Sequence, residues 1–174
     1  MQDRVVRALH ARASALLPFR FGTLAPDLAS AVTSIDAIYS SLAARLARVR
    51  LCDQMTVRVL RATGAADAGS GGVDISAAES GQADGPGARY LRARAAAREL
   101  PQALRPTFDA VRSLVRATAF EPGRHAAVVG TVYHLIARGD AELYRAGLER
   151  AAARERALIL RITGPSPAYA FTGV

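Results

Sequence analysis

The 174-residue sequence contains no lysine, no tryptophan and a single cysteine, Cys52. A lone cysteine excludes an intrachain disulfide and any cysteine-based metal cluster. The three histidines, His10, His125 and His134, form no HExxH motif, and no two stand four apart on a helix. Each is therefore read as structural, and no metal ligands are assigned. No apolar run approaches the ~20 residues of a membrane-spanning helix. The segment from Met1 to Arg12 carries charges throughout and lacks the apolar core of a secretory signal, which predicts a cytoplasmic protein without a membrane partner. Asp27, Asp36 and Asp53 have no partner base in a recognisable motif. Gly69-Ser70-Gly71-Gly72 has no strand leading into it and no GK[ST] after it, so it reads as linker rather than phosphate cradle. Cys52 lacks an electropositive helix start and reads as a small strand residue. No catalytic or cofactor-binding residue is assigned, and the chain is expected not to be an enzyme.

What is present is a hydrophobic fraction of 51% and a net charge of +8 carried by arginine. A chain near this size can bury roughly 70% of its unfolded surface in a core. The charge raises the alternative of an arginine-rich nucleic-acid-binding protein. The arginines are spread from Arg4 to Arg161, against a single binding face. The densest run, Arg89, Arg92, Arg94 and Arg98, is either a solvated helix face or a phosphate-binding one.

Hydrophobic spacing sets out the elements. Val5, Val6, Leu9, Ala13, Leu16 and Leu17 mark an amphipathic helix ended by Pro18. Leu28, Val32, Ile35, Tyr39, Leu42, Leu46 and Val49 recur at steps of four and three. This is the seam of a long helix, expected to pack on a sheet or to form a coiled-coil face. Residues 51–61 read as a strand, with Met55, Val57 and Val59 on one face and Thr56 and Arg58 on the other. Residues 62–87 form a 26-residue stretch with seven glycines, expected to be a flexible linker whose ends lie ~28 Å apart. Residues 88–119 read as mainly helical, with Leu100, Leu104, Phe108, Val111 and Val115 buried and Pro101 and Pro106 splitting the helix. Residues 126–137 read as a buried strand. A helix placed after Asp140 stacks Tyr144, Leu148 and Ala151, and residues 158–162 form a last strand ended by Gly164 and Pro165. The fold class predicted is α+β: an N-terminal helix-plus-sheet unit (1–61), the linker (62–87) and a C-terminal unit (88–174).

Three segments resemble the GvpF/GvpL family of gas vesicle accessory proteins. Leu17-Pro18-Phe19-Arg20-Phe21-Gly22-Thr23 is similar to the family's Leu-Pro-x-Arg-Phe-Gly-Thr. Gly87-Ala88-Arg89-Tyr90-Leu91-Arg92-Ala93-Arg94 is similar to its Gly-x-x-Tyr-Leu-x-x-Arg. Thr163-Gly164-Pro165-Ser166-Pro167-Ala168-Tyr169-Ala170-Phe171 resembles Thr-Gly-Pro-Trp-Pro-Pro-Tyr-Ser-Phe, with Ser166 at the usual tryptophan and Ala168 at a usual proline. Family members generally carry a strand-rich segment before the helix that here begins at Met1, so the chain reads as an N-terminally shortened relative with an incomplete first unit. The resemblance implies a cytoplasmic, vesicle-associated assembly protein. Its implied partners are the hydrophobic shell protein and other accessory proteins. The family-motif positions Arg20, Phe21, Gly22, Tyr90, Arg94, Gly164, Pro165, Pro167, Tyr169 and Phe171 are the candidate partner-binding residues. Phe21 is expected to anchor the first unit's core, with Arg20 facing a partner. The segment from Pro165 to Phe171 is expected to run extended, with Tyr169 and Phe171 on one face. They either pack back on their own unit or are kept for another protein.

Overall fold

The computed structural model describes residues 2–18, 22–62 and 99–172. The first helix, α1, spans Gln2–Arg12. The long seam helix is instead two: α2 (Leu28–Asp36) and α3 (Tyr39–Val49). Asp27 caps α2 by accepting from the Ser30 amide at 2.7 Å. Within α2, Thr33 donates to the Ala29 carbonyl and Ser34 to the Ser30 carbonyl. Such back-bonding loosens the helical ladder, and at Ile38 the backbone leaves the helical region (φ −119°, ψ 14°).

Strand β1 (Cys52–Arg61) follows. After residue 98 come a 3-10 turn (Gln102–Leu104), a short helix α4 (Arg105–Asp109) and a second 3-10 turn (Arg112–Leu114). The expected helical region thus stops early, and Val115–Pro122 is strand β2. Pro101 and Pro106 keep the helical pieces short, and pairing with β3 (Val128–Ala137) decides the conformation of the rest. Helix α5 (Ala141–Ala152) begins after Gly139, whose φ of +101° makes the turn. Asp140 occupies the N-cap position but makes no side-chain cap bond. The last strand, β4, runs through Leu158–Ser166, past the expected stop. Gly164, with φ +119°, and Pro165 fit inside it because the β1–β4 register slips between Gln54 and Thr56 at that point. A proline without an amide donor is tolerated at such a bulge.

The strands form one antiparallel sheet in the order β2-β3-β1-β4. Among the described residues, this single sheet replaces the sheet expected in each unit. β1 lies in the middle of the sheet, flanked on both sides by strands from beyond residue 127. Residues 63–87 of the linker segment, with 88–98, lie outside the described residues.

One sheet face carries Met55, Val57, Val59, Val132, Ile136 and Phe120. Leu104, Phe108, Val111, Tyr144 and Leu148 from the helical segments cover it to form the main core. A smaller cluster on the other face joins Val49, Cys52, Leu135 and Ala168, with Ala15, Leu17, Ala117 and Phe171 packed against it. The N-terminal and C-terminal segments therefore meet at one end of the sheet.

Candidate partner-binding surface

Residues 167–171 build the C-terminal clamp. Pro167 and Ala168 are buried, and Tyr169–Phe171 forms a 3-10 turn. The Ala170 amide donates to Gln54 Oε1 at 2.8 Å, and the Ser166 hydroxyl donates to the Gln54 carbonyl at 3.3 Å. Arg45 reaches the Thr172 carbonyl. The extended arm expected here is replaced by a turn. Side chains two apart on a 3-10 turn point to different sides. Phe171 packs inward against the smaller core, while Tyr169 stays 38% exposed. The Tyr169 hydroxyl donates to Asp3 Oδ1 at 2.8 Å, and Arg7 Nε pairs with Asp3 Oδ2 at 2.7 Å. Hydrogen bonds from Arg7 and then Tyr169 hold the Asp3 carboxyl below its ordinary range.

A second polar cluster seats α1. His10 Nε2 lies 2.8 Å from Asp53 Oδ1, which also faces Arg138 Nε at 3.5 Å. Arg138 Nη1 donates to the Ala13 carbonyl at 3.1 Å. The Leu51 amide donates to the Ser14 carbonyl, and the Leu51 carbonyl accepts from the Arg138 amide. These two bonds hold Leu51 in the left-handed region, φ 51°, a conformation that costs a non-glycine residue about 1–2 kcal/mol. Sequence reasoning found none of this, because the pairing of His10 with Asp53 exists only once α1 folds across the end of β1.

The helices before β1 leave much apolar surface open. Nine of the twelve exposed large hydrophobic side chains among the described residues precede Cys52, so the open surface is concentrated there. Leu24 is 92% exposed, Leu28 81% and Tyr39 68%; Val32, Ile38 and Leu46 are also exposed. No residue of α2 is buried. The seam expected to pack on the sheet reaches the core only at its end, at Val49. Elsewhere the exposed large hydrophobics are scattered: Leu143, Ile159 and Tyr169.

The gas vesicle synthesis protein GvpL/GvpF family profile matches residues 1–173. The chain belongs to this family. The crystal structure of the gas vesicle protein GvpF from Anabaena sp. PCC7120 superposes with a TM-score of 0.67 at 14% identity, over 98% of this chain and 71% of that one. That of GvpF from Microcystis aeruginosa gives 0.63 at 12% identity, over 99% and 76%. At these identities the likeness establishes a shared fold. No curated protein matches the sequence.

The family's signature positions divide by place. Gly164, Pro165 and Pro167 build the bulge and clamp, where an added Cβ on Gly164 would stand 2.7 Å from the Gln54 carbonyl oxygen. Gly22 makes a turn at φ +85°. Arg20, Phe21, Tyr90 and Arg94 lie outside the described residues, as does the expected core role of Phe21. Some of the arginines that set the charge serve the fold: Arg45, Arg138 and Arg145 all donate to main-chain carbonyls. Among the described residues no group of three or more His, Cys, Asp or Glu could hold a metal, and no helix is long and apolar enough to cross a membrane.

Proposed function

We propose that the chain is a gas vesicle accessory protein that binds the hydrophobic shell protein, and other vesicle accessory proteins, during vesicle formation in the cytoplasm. The observation that carries this reading is the exposed apolar face of α2 and the start of α3 in a member of this family. An apolar shell subunit must be kept from water until it is incorporated, and an open apolar helix face suits that task. Tyr169 and the motif positions Arg20, Phe21, Tyr90 and Arg94 are further proposed contacts.

The test is capture of purified shell protein by the tagged full chain. Leu28→Asp with Val32→Asp removes two apolar contacts worth about 1.5–3 kcal/mol each when fully buried. Capture should weaken at least ~10-fold, with the circular dichroism spectrum unchanged, because neither residue is buried within its own chain. Capture equal to wild type would move the client site away from α2.

A further inference from the structure

The seam of α2 and α3 carries a symmetry that points to its occupant in the free protein. Its residues, Leu28, Val32, Ile35, Tyr39, Leu42 and Leu46, are spaced four, three, four, three and four. This pattern reads the same from either end. Reversing one copy against another sets Leu28 beside Leu46 of the partner subunit, Val32 beside Leu42 of the partner subunit, and Ile35 beside Tyr39 of the partner subunit. The break near Ile38 then falls at the centre of the pair.

The charges follow the same logic. Residues 24–37 hold Asp27 and Asp36 and no basic residue; residues 38–50 hold Arg45, Arg48 and Arg50 and no acid. Antiparallel pairing sets each acidic half on the partner's basic half, whereas parallel pairing sets like on like. Helix dipoles favour the same orientation. Four of the six seam residues, Leu28, Val32, Tyr39 and Leu46, are exposed, and Ile35 and Leu42 are half-buried. A face of this extent left open on a free protein is an aggregation liability.

We propose that two copies of the chain pair antiparallel through α2 and α3 when no client is bound, so that each covers the other's apolar face. This pair uses the face assigned above to the client but does not depend on what the client is. It is a C2 arrangement in which one patch meets itself, and client and partner subunit compete for it.

The experiment is sedimentation velocity of the full-length chain without client. A dimer mass is expected, dissociating on dilution with a constant on the order of micromolar. Val32→Asp should weaken self-association at least tenfold, with the melting temperature unchanged at concentrations well below the wild-type dissociation constant, where both proteins are monomers. Orientation is read by oxidation of cysteine variants, since the native Cys52 is buried and does not compete. An equimolar mixture of Leu28→Cys and Leu46→Cys should form a mixed disulfide, and Leu28→Cys alone should not cross-link. A monomer at every concentration overturns the proposal, as does a dimer insensitive to Val32→Asp. Cross-linking of Leu28→Cys to itself overturns the antiparallel arrangement. Failure of the wild-type chain to capture shell protein, with the dimer formed and sensitive to Val32→Asp, counts against the client reading alone.

Discussion

Replacing Tyr144 by alanine should destabilise the protein by about 3–5 kcal/mol, a large share of the ~5–15 kcal/mol that holds a typical domain folded. Tyr144 is fully buried on α5, in the middle of the main core. Its hydroxyl lies 2.7 Å from His134 Nδ1, and its ring meets the imidazole edge-on with centroids 5.7 Å apart. Phe108 closes the other side of the imidazole at 5.2 Å, again edge-on. Truncation therefore opens a cavity and also strips His134 of its hydrogen-bond partner. Tyr144→Phe separates the two effects. It keeps the ring and removes only the hydroxyl, and should cost about 1–3 kcal/mol for the unsatisfied buried nitrogen. Urea denaturation of the three proteins measures both numbers. A cost under ~1 kcal/mol for Tyr144→Ala would mean that α5 does not pack on the sheet as described.

The same pair makes stability depend on pH. Burial pushes the His134 pKa down to about 4 from its ordinary 6.5, because the charged form loses its water shell. The folded state thus binds its proton more weakly than the unfolded state. His134 contributes its full share of stability above pH ~6.5, and loses it progressively as pH falls towards 4. The shift corresponds to about 3 kcal/mol. Asp3 and Asp27 are held below the usual carboxylate value and lose their share only at still lower pH. The interval between pH 6.5 and 4 therefore reports mainly on His134. Unfolding free energy measured at pH 7 and pH 4.5 should differ by about 2–3 kcal/mol in the wild type. The difference should shrink by most of that amount in His134→Gln, which cannot charge. An equal loss in both proteins would place the titrating group elsewhere.

Much of this architecture could be read from local pattern. β1 announces itself by alternation, and Met55, Val57 and Val59 share the buried face as their spacing requires. Tyr144 and Leu148 stack on the inner side of α5, and Leu104, Phe108 and Val111 enter the core as a helical stripe would. Three features were hidden because non-local contacts decide them. β2 begins inside what reads as a helical stripe, and only its ladder with β3 makes Val115–Pro122 extended. β4 continues through Gly164 and Pro165 because a bulge opposite Gln54 accommodates them. The clamp at residues 167–171 turns rather than extends, since Gln54 offers its side-chain oxygen to the Ala170 amide. The seam of α2 was legible as a pattern but not as a surface. Periodicity says that a face is apolar, not what covers it. The family signature was legible at the positions of the clamp, whose packing explains Gly164 and Pro167 as builders of the fold.

The place of β1 in the sheet also governs how the chain meets water during synthesis. Val57 pairs with Val132 on one side and with Ile162 on the other, so the strand leaves the ribosome roughly a hundred residues before its second neighbour exists. At ~5–20 residues per second that interval is on the order of ten seconds. Until β3 emerges both edges of the strand that carries Met55, Val57 and Val59 are open, and until β4 emerges one still is, the condition in which chains stick to one another. A protein proposed to shelter the apolar surface of another chain thus begins life needing shelter for its own.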